Sequence, residues 1–238
     1  MSLIEQIIGK TVTSVTAEDI RGATKIASGV FYKCDKLTTI EFPDTVEEIG
    51  DSAFSGCTTL ANVDLSNLPR LCAIAVTSFS DTVWYKNLPS GVMLTGENTV
   101  LFSVKDVTTI EFPESVLAIS GGAMNRAAIP TIVVPDTVQF IYGAAFGNSA
   151  TTKVVIGTGV SVMKPGSMGD TNVKTWVCKQ PADMILNIPQ ETGDGKGLAW
   201  QKDSREFTLY TDNEMLKAYN WSGDNVTATI KPLSEAPA

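Results

Sequence analysis

The sequence predicts a solenoid that is mainly β, with short strands and turns, little helix and a cap at each end. A motif recurs with a period of about 22 residues, a length typical of leucine-rich and similar solenoid repeats. It is clearest in segments 37–57, 107–124 and 129–146, where apolar and polar residues alternate. Such repeats bury their apolar sides by stacking, which creates an extended surface rather than a pocket.

Equivalent positions of the copies keep a nearly constant spacing. The strand column, whose steps stay close to this period except across segment 83–106, runs Ile40, Val63, Ile110, Ile132, Val154 and Trp176. Three more columns follow at three-residue intervals: Pro43, Pro113 and Pro135; Val46, Val116, Val138 and Val160; Ile49, Ile119, Ile141 and Met163. Each unit closes on Phe54, Met124, Phe146 or Met168. The aligned columns predict one strand per repeat, followed by a second short piece, extended or looped, that corresponds to residues 46–49 of the clearest copy.

Each copy can be interpreted physically from its residue types. Ile40 and Phe42 alternate with polar residues, which predicts a half-buried strand. Pro43 ends that strand because it has no N–H to donate. Phe54 and Phe146 are predicted to be plugs in the core between repeats.

These motifs resemble the BspA-like, or Treponema-type, leucine-rich repeat family, whose pattern is L-x-x-I-x-x-P-x-x-V-x-x-I-G-x-x-A-F-x-x-C. The resemblance covers roughly residues 20–178, and residues 37–57 match nearly every column. It implies a leucine-rich repeat solenoid of the right-handed type. Residues 83–106 break the register and predict an inserted hairpin or irregular loop. Gly157 stands where other copies have proline.

The chain is expected to form one domain with atypical ends. Residues 1–19 are the predicted N-terminal cap, residues 20–178 the solenoid and residues 179–238 the C-terminal cap. In the first segment, helical spacing predicts either a short amphipathic cap or a docking peptide at Leu3, Ile4, Ile7 and Ile8.

The C-terminal cap is predicted to contain a loop, a strand and a short helix. The glycine-rich stretch 192–197 lacks the spacing of a phosphate-binding loop. A strand is expected at residues 207–210, followed by a helix that Asp212 caps and that extends through Tyr219. Tyr219 and Trp221 are predicted to pack on the last repeat, with stacking on carbohydrate as the alternative.

Composition restricts the classes of function. The 238 residues carry a net charge of −8 and no histidine. The acidic balance argues against binding nucleic acid or an anionic membrane, and no run is long enough to be inserted in a bilayer. Without histidine, the commonest general base and metal ligand are missing. We therefore expect no enzymatic activity, no cofactor and no metal site.

Four cysteines are predicted to be reduced residues of the core. Their spacing includes no C-x-x-C pair, so a structural zinc site is not expected. A bridge between Cys34 and Cys57, which occupy the same column of successive copies, is sterically conceivable but not required.

The strand alternation also predicts an outward face. One outward column runs Glu41, Asp64, Glu111, Val133, Val155 and Val177, and the flanking column includes Thr131, Lys153 and Thr175. The face changes from acidic to apolar along the stack. Three stacked valines are unusual on an open face. Either the C-terminal segment or residues 83–106 cover them, or they form a contact surface for a partner or another copy of the chain.

Two functions follow from the resemblance. The N-terminus has no signal-peptide pattern, and short leaderless forms similar to this one occur near phage and prophage tail genes. We therefore expect a non-enzymatic virion protein, in a tail or exterior position, that contacts the host surface or neighbouring virion proteins. The alternative is a cell-surface or secreted adhesin that binds host protein or glycan. A homo-oligomer or larger assembly is compatible with either.

Overall fold

The computed structural model describes residues 12–75, 77–96, 100–125, 127–147, 149–169, 171–189, 197–199 and 205–238. The apolar N-terminal residues with helical spacing, and all of the glycine-rich stretch except Gly197, lie outside these described residues. The prediction for each of those segments therefore stays a prediction.

The described residues confirm a leucine-rich repeat solenoid with short strands, turns and little helix. The chain divides into two compact units. The first unit contains residues 1–89 and 93–102, and the second contains residues 90–92 and 103–238.

The first unit has two parallel three-stranded sheets. Sheet I consists of β1 (Ser14–Val15), β3 (Thr39–Glu41) and β5 (Asn62–Asp64), in that order. Sheet II consists of β2 (Lys25–Ile26), β4 (Glu48–Ile49) and β6 (Ala73–Ile74). Each repeat contributes one strand to sheet I and one to sheet II. In the clearest copy, Ile40 of β3 and Ile49 of β4 are both buried in the core. Sheet I thus begins inside the segment predicted as the N-terminal cap.

A column of aromatic rings fills the core of the first unit. Phe54 stacks between Phe31 and Phe79, with ring centroids 5.1 and 5.2 Å away and interplanar angles of 8° and 3°. Phe42 meets Phe54 edge-on at 5.8 Å. Since the repeat returns a phenylalanine to the same position in each turn, the rings stack along the axis and exclude water between turns.

Residues 83–106 contain a helical turn and two strands. Helix α1 (Val83–Lys86) begins after Thr82, whose hydroxyl accepts the N–H of Tyr85. The strands are β7 (Gly91–Thr95) and β8 (Val100–Lys105), and they are neighbours in one sheet. Within the first unit, Trp84 packs against Phe79 and Phe102, with centroids 5.0 and 5.8 Å away.

The second unit repeats the two-sheet arrangement. Its sheet III contains, in order, β10 (Thr131–Val134), β12 (Lys153–Ile156), β14 (Thr175–Cys178), β15 (Arg205–Thr211) and β16 (Val226–Lys231). Its sheet IV includes β9 (Ala118–Ile119), β11 (Phe140–Ile141) and β13 (Val162–Met163). All pairings between neighbouring strands of sheet III are parallel.

Sheet III continues beyond the part of the chain that shows the repeat. Thr175 of β14 pairs with Thr208 of β15, and Thr208 in turn pairs with Thr229 of β16. The first of these steps is much longer than the repeat period and the second is slightly shorter, so a search at a fixed period misses both turns. The C-terminal segment therefore extends the sheet rather than only covering its end.

Two local predictions are wrong. The copy around Ile110 has no strand at residues 109–111, and Ile110 and Phe112 are only half-buried there. The C-terminal helix α2 (Glu214–Ala218) is capped by Asn213 rather than Asp212 and ends before Tyr219. Asn213 Oδ1 accepts the N–H groups of Met215 and Leu216, while its Nδ2 group donates to the carbonyls of Pro181 and Met184 in the segment that follows β14.

Candidate functional site: the outward face of sheets I and III

The outward face of sheet I consists of small polar and acidic side chains. Ser14, Thr39 and Asn62 are paired in one column, and Glu41 is paired with Asp64 in the next. All are exposed except Thr39, which is half-buried. Adjacent strands lie about 4.7–4.9 Å apart, so the two carboxylates are neighbours on an open surface.

Asp64 is held in its ionised form by a local contact. Its Oδ1 atom accepts the N–H of Ser66 at 2.9 Å. Hydrogen bonds from the Ser66 side chain and backbone lower the pKa of this carboxyl below its usual value. The outward face of sheet I is therefore negatively charged at neutral pH.

Glu111, the third carboxylate of the predicted column, is not part of sheet I. It belongs to the second unit, is exposed and lies in a stretch without strand structure. Within sheet I, the predicted acidic column consists of Glu41 and Asp64.

The outward columns of sheet III have the predicted register. One column pairs Thr131, Lys153 and Thr175, and the other pairs Val133, Val155 and Val177. The valines differ greatly in exposure, however. Val133 is 56% exposed, whereas Val155 is 9% and Val177 3% exposed.

A C-terminal strap, defined as residues 232–238, accounts for this difference. It leaves the end of β16, and the N–H of Leu233 binds Asp212 Oδ1 at 3.2 Å. At its other end, Lys153 Nζ donates to the carbonyls of Pro237 and Ala238 at 2.9 and 2.7 Å. A segment that runs from β16 back to β12 must cross β15 and β14 on the outward face.

Val155 and Val177, two residues of the predicted binding column, are therefore buried in the fold rather than open to a partner. The burial of Val155 and Val177, taken with the anchors of the strap at Asp212 and Lys153, indicates that the strap covers these two side chains and stops before Val133. Among the possibilities that the sequence left open, these anchors favour cover by the C-terminal segment. Lys153 is an anchor of the strap, and Thr175 lies half-buried in the flanking column.

The sequence contains little that would have identified the strap. Its residues, PLSEAPA, have no alternation, and two of the seven are prolines. The single clue is the valine column, because stacked apolar residues on an outward face require a cover.

A buried polar cluster holds the chain that precedes and follows α2. Asp224, 2% exposed, accepts the N–H of Ala199 at 2.8 Å and the hydroxyl of Tyr219 at 3.0 Å. The Tyr219 oxygen accepts the N–H of Leu198 at 2.7 Å. A Cβ at position 197 would overlap both Asp224 and Tyr219, so a larger residue there would have to displace these side chains. We interpret the cluster as structural, because Asp224 Oδ2 and the Tyr219 hydroxyl make their hydrogen bonds within the fold.

Trp221 packs on the last turns of sheet III. Its ring lies edge-on to Phe207 at 5.4 Å, and its Nε1 donates to the carbonyl of Leu216 at 3.2 Å. Only 6% of the residue is exposed. Trp221 therefore has no open ring face on which a carbohydrate could stack.

The cysteines are free thiols that the fold keeps protonated. Cys57, Cys72 and Cys178 are buried, and Cys34 is half-buried. Burial raises the pKa of Cys57 to about 11 and of Cys72 and Cys178 to about 12. Cys57 Sγ donates to the carbonyl of Phe31 at 2.9 Å. Thiols with such high pKa values are weak nucleophiles at neutral pH.

A turn carboxylate, Asp136, connects two repeats. Its Oδ1 accepts the N–H of Thr158 at 2.6 Å, which lowers the pKa of the Asp136 carboxyl. Close approach of this turn also explains Gly157, where a Cβ would lie 2.6 Å from Asp136 Oδ1. The departure from proline at that position therefore follows from packing between turns.

Over the described ranges, no group of three or more acidic, cysteine or histidine residues is placed to hold a metal ion. Among the helices in the part of the chain that the structure describes, none is long and apolar enough to cross a bilayer. The outward faces of sheets I and III, each considered within its own unit, are the candidate sites.

The sequence matches one family model. Residues 24–153, more than half of the chain, match six copies of the BspA type leucine-rich repeat region. Proteins of this family are typically binding or adhesin proteins of the cell surface or secreted fraction. Among curated proteins, none matches the chain significantly.

Solved structures with the same repeat are distant. A Treponema pallidum leucine-rich repeat protein is 22% identical over 72% of this chain and 73% of that chain, with a TM-score of 0.33. A leucine-rich cell surface protein from Faecalibacterium prausnitzii is 16% identical over 80% and 73%, with a TM-score of 0.31. The pneumococcal vaccine antigen PcpA is 12% identical over 92% and 79%, with a TM-score of 0.34. The family assignment rests on the match to the repeat.

Proposed function

Because this chain belongs to the BspA-type leucine-rich repeat family, we propose that it is a non-enzymatic binding protein that recognises another protein through the outward face of sheet I. Leucine-rich repeat proteins generally mediate protein binding. A solenoid suits this role since it presents equivalent side chains at regular intervals along an extended surface.

The open polar surface of sheet I is the observation that carries the proposal. Glu41 and Asp64 are exposed and adjacent, with Ser14, Thr39 and Asn62 beside them. The face offers two negative charges and three hydrogen-bonding side chains. A partner with a basic patch of lysine or arginine complements it, because complementary charge steers association and fixes register.

The setting that we propose is the bacterial cell surface or the secreted fraction, with a host protein as the target. This is where members of the family typically act. The virion setting expected from the N-terminal residues is the other outcome of the experiment that locates the protein.

Quantitative mass spectrometry of the source culture tests the setting. Washed cells, culture supernatant and phage-like particles isolated by density gradient are compared for the abundance of this chain. We expect enrichment in the cell-surface or supernatant fraction. Stoichiometric enrichment in the particles would instead establish a virion component that binds the host or a neighbouring virion protein.

A matched pair of double variants tests the binding face. Glu41→Gln with Asp64→Asn removes both charges of sheet I, and Asp35→Asn with Glu47→Gln removes two exposed charges elsewhere in the first unit. Labelled protein is titrated onto intact host cells at several salt concentrations. We expect binding that weakens with salt and that is about five- to tenfold weaker for the first variant. Equal binding by both variants would contradict the proposed face.

A further inference from the structure

The last strand of sheet III ends the sheet without a covering element among the described residues. In the strand order β10-β12-β14-β15-β16, no further described strand follows β16. The strap turns back towards β12 and away from this edge. An uncovered strand edge presents unpaired N–H and C=O groups, which form a template for another strand.

The core positions of β16 are also incompletely buried. Phe207 and Leu209 of β15 are 6% and 0% exposed, whereas their partners Ala228 and Ile230 are only half-buried. A further strand beside β16 would bury these two side chains. Strand β16 thus lacks a neighbouring strand that would complete both the burial of its apolar side chains and its backbone hydrogen bonds.

The hydrogen-bonding direction identifies the residues that face the free edge. The carbonyl of Asn225 accepts the N–H of Arg205, so residue 225 points towards β15. Since the direction alternates along a strand, the N–H and C=O groups of Val226, Ala228 and Ile230 point away from β15. All three of these side chains lie on the core side of the sheet.

We propose that β16 pairs antiparallel with β16 of a second copy of this chain, across a two-fold axis at Ala228. In this register Val226 lies opposite Ile230 of the second copy, and Ala228 lies opposite Ala228. Every residue that faces the free edge then meets another such residue, and each of these pairs exchanges two hydrogen bonds. The outward side chains match as well, because Thr227 lies opposite Thr229.

This self-complementarity is the reason to choose a second copy over an unrelated extended peptide. Val226–Ile230 contains neither a charged residue nor a proline, and its two-fold pairing places apolar residues against apolar ones and threonine against threonine. Lys231 follows this segment, and its charge would disfavour a strand brought close to it. Its Nζ atom forms an ion pair with Glu235 Oε2 of the strap, 3.5 Å away. A closed two-fold pairing satisfies both edges and forms no open polymer.

Two double variants at the exposed threonines test both the pairing and its register. Thr227→Lys with Thr229→Lys places lysine opposite lysine twice. Thr227→Lys with Thr229→Glu places lysine opposite glutamate twice. Within one chain, residue 227 neighbours Glu206 and residue 229 neighbours Thr208, so both variants are compatible with the fold. Thermal unfolding of each variant checks that it folds as the original chain does.

The measurement is the molar mass of the full chain by light scattering over a range of protein concentrations. We expect the unchanged chain to approach the mass of two chains as its concentration rises. The lysine–lysine variant should dissociate about tenfold more readily, whereas the lysine–glutamate variant should dimerise at least as tightly as the unchanged chain.

Three results would overturn the proposal. The first is a single-chain mass at the highest soluble concentration. The second is equal dimerisation of the unchanged chain and the lysine–lysine variant, which would place the contact elsewhere. The third is loss of the dimer in both double variants, which would exclude the Ala228-centred register, because a register centred on Thr229 brings the glutamates together.

Discussion

In the first unit, the outward face of sheet I is open to solvent. In the second unit, the C-terminal strap covers part of the outward face of sheet III. The residues on the outward columns account for the contrast. Glu41 and Asp64 in sheet I are charged and tolerate water, while Val155 and Val177 in sheet III are apolar. One repeat backbone therefore supports an open polar surface and a closed apolar one, depending on one residue per turn.

The cores of the units differ in a parallel way. The first unit stacks Phe31, Phe54 and Phe79 as flat rings. In the second unit, Phe146 has methionines at the equivalent positions of the neighbouring repeats, Met124 and Met168, and meets Trp176 edge-on at 5.6 Å. Flexible thioethers adapt to irregular gaps where aromatic rings require a regular stack.

The largest expected effect is the loss of a core ring. Phe54→Ala should lower the free energy of unfolding of the first unit by about 3–5 kcal/mol, because a cavity replaces a buried ring. Two stacked partners, each worth about 0.5–1.5 kcal/mol, are lost with it. Phe146→Ala should lower the free energy of unfolding of the second unit by an amount at the lower end of that range. Urea unfolding measures both, and a loss below about 1 kcal/mol for Phe54→Ala would contradict the stacked core.

A matched pair of valines tests the closed face. Val155→Asp should destabilise the second unit by about 0.5–3 kcal/mol, because the strap must then cover a carboxylate. Val133→Asp, one strand away in the same column but 56% exposed, should change stability by no more than about 0.5 kcal/mol. Urea unfolding measures both variants. Equal effects would mean that the strap does not cover Val155.

The anchor of the strap should have a smaller and more local effect. Lys153→Met removes the two hydrogen bonds to the carbonyls of Pro237 and Ala238, each worth at most about 0.5–1.5 kcal/mol. Hydrogen exchange should accelerate in the strap and stay unchanged in sheet I, where the face has no such cover. Lys174→Met, at an exposed lysine on the same unit, is the control. If the two variants exchange alike, Lys153 does not hold the strap.

The smallest expected effect concerns acid. The Asp136 carboxyl has a lowered pKa in the fold, so its contact stabilises the protein above the unfolded-state pKa of about 3.9 and is lost as the pH falls through the folded value. Asp136→Asn should therefore reduce the loss of stability below about pH 4. It should change the stability of the second unit only slightly, because the carboxylate is solvated. Thermal unfolding of the unchanged chain and the variant, from neutral to acidic pH, measures this difference in acid dependence. An unchanged acid dependence would show that the contact with Thr158 contributes nothing.

Much of the ladder could be predicted from the sequence because two periods act together. The repeat period places Val133, Val155 and Val177 in one column, and the alternation along each strand decides that they point outward. Both features depend on whether the residue at each repeat position is apolar or polar, and most copies keep that character. The family and the solenoid fold are confirmed for the same reason.

The remaining features depend on contacts that the period does not encode. The strap consists of seven residues without a repeat, and β15 and β16 follow turns of unequal length. The copy around Ile110 keeps the motif, yet its residues 109–111 form no strand. The cap at Asn213 rather than Asp212 depends on which side chain reaches the carbonyls of Pro181 and Met184, about 30 residues earlier in the chain. Each of these outcomes is decided by tertiary packing.

The contrast between an open and a closed outward face can be measured directly by hydroxyl-radical footprinting. The full chain is compared with a chain that ends at Lys231 and therefore lacks the strap. We predict strong modification of Val133 in both proteins, and modification of Val155 and Val177 only after the strap is removed. Modification of all three valines to the same degree in the full chain would contradict the account.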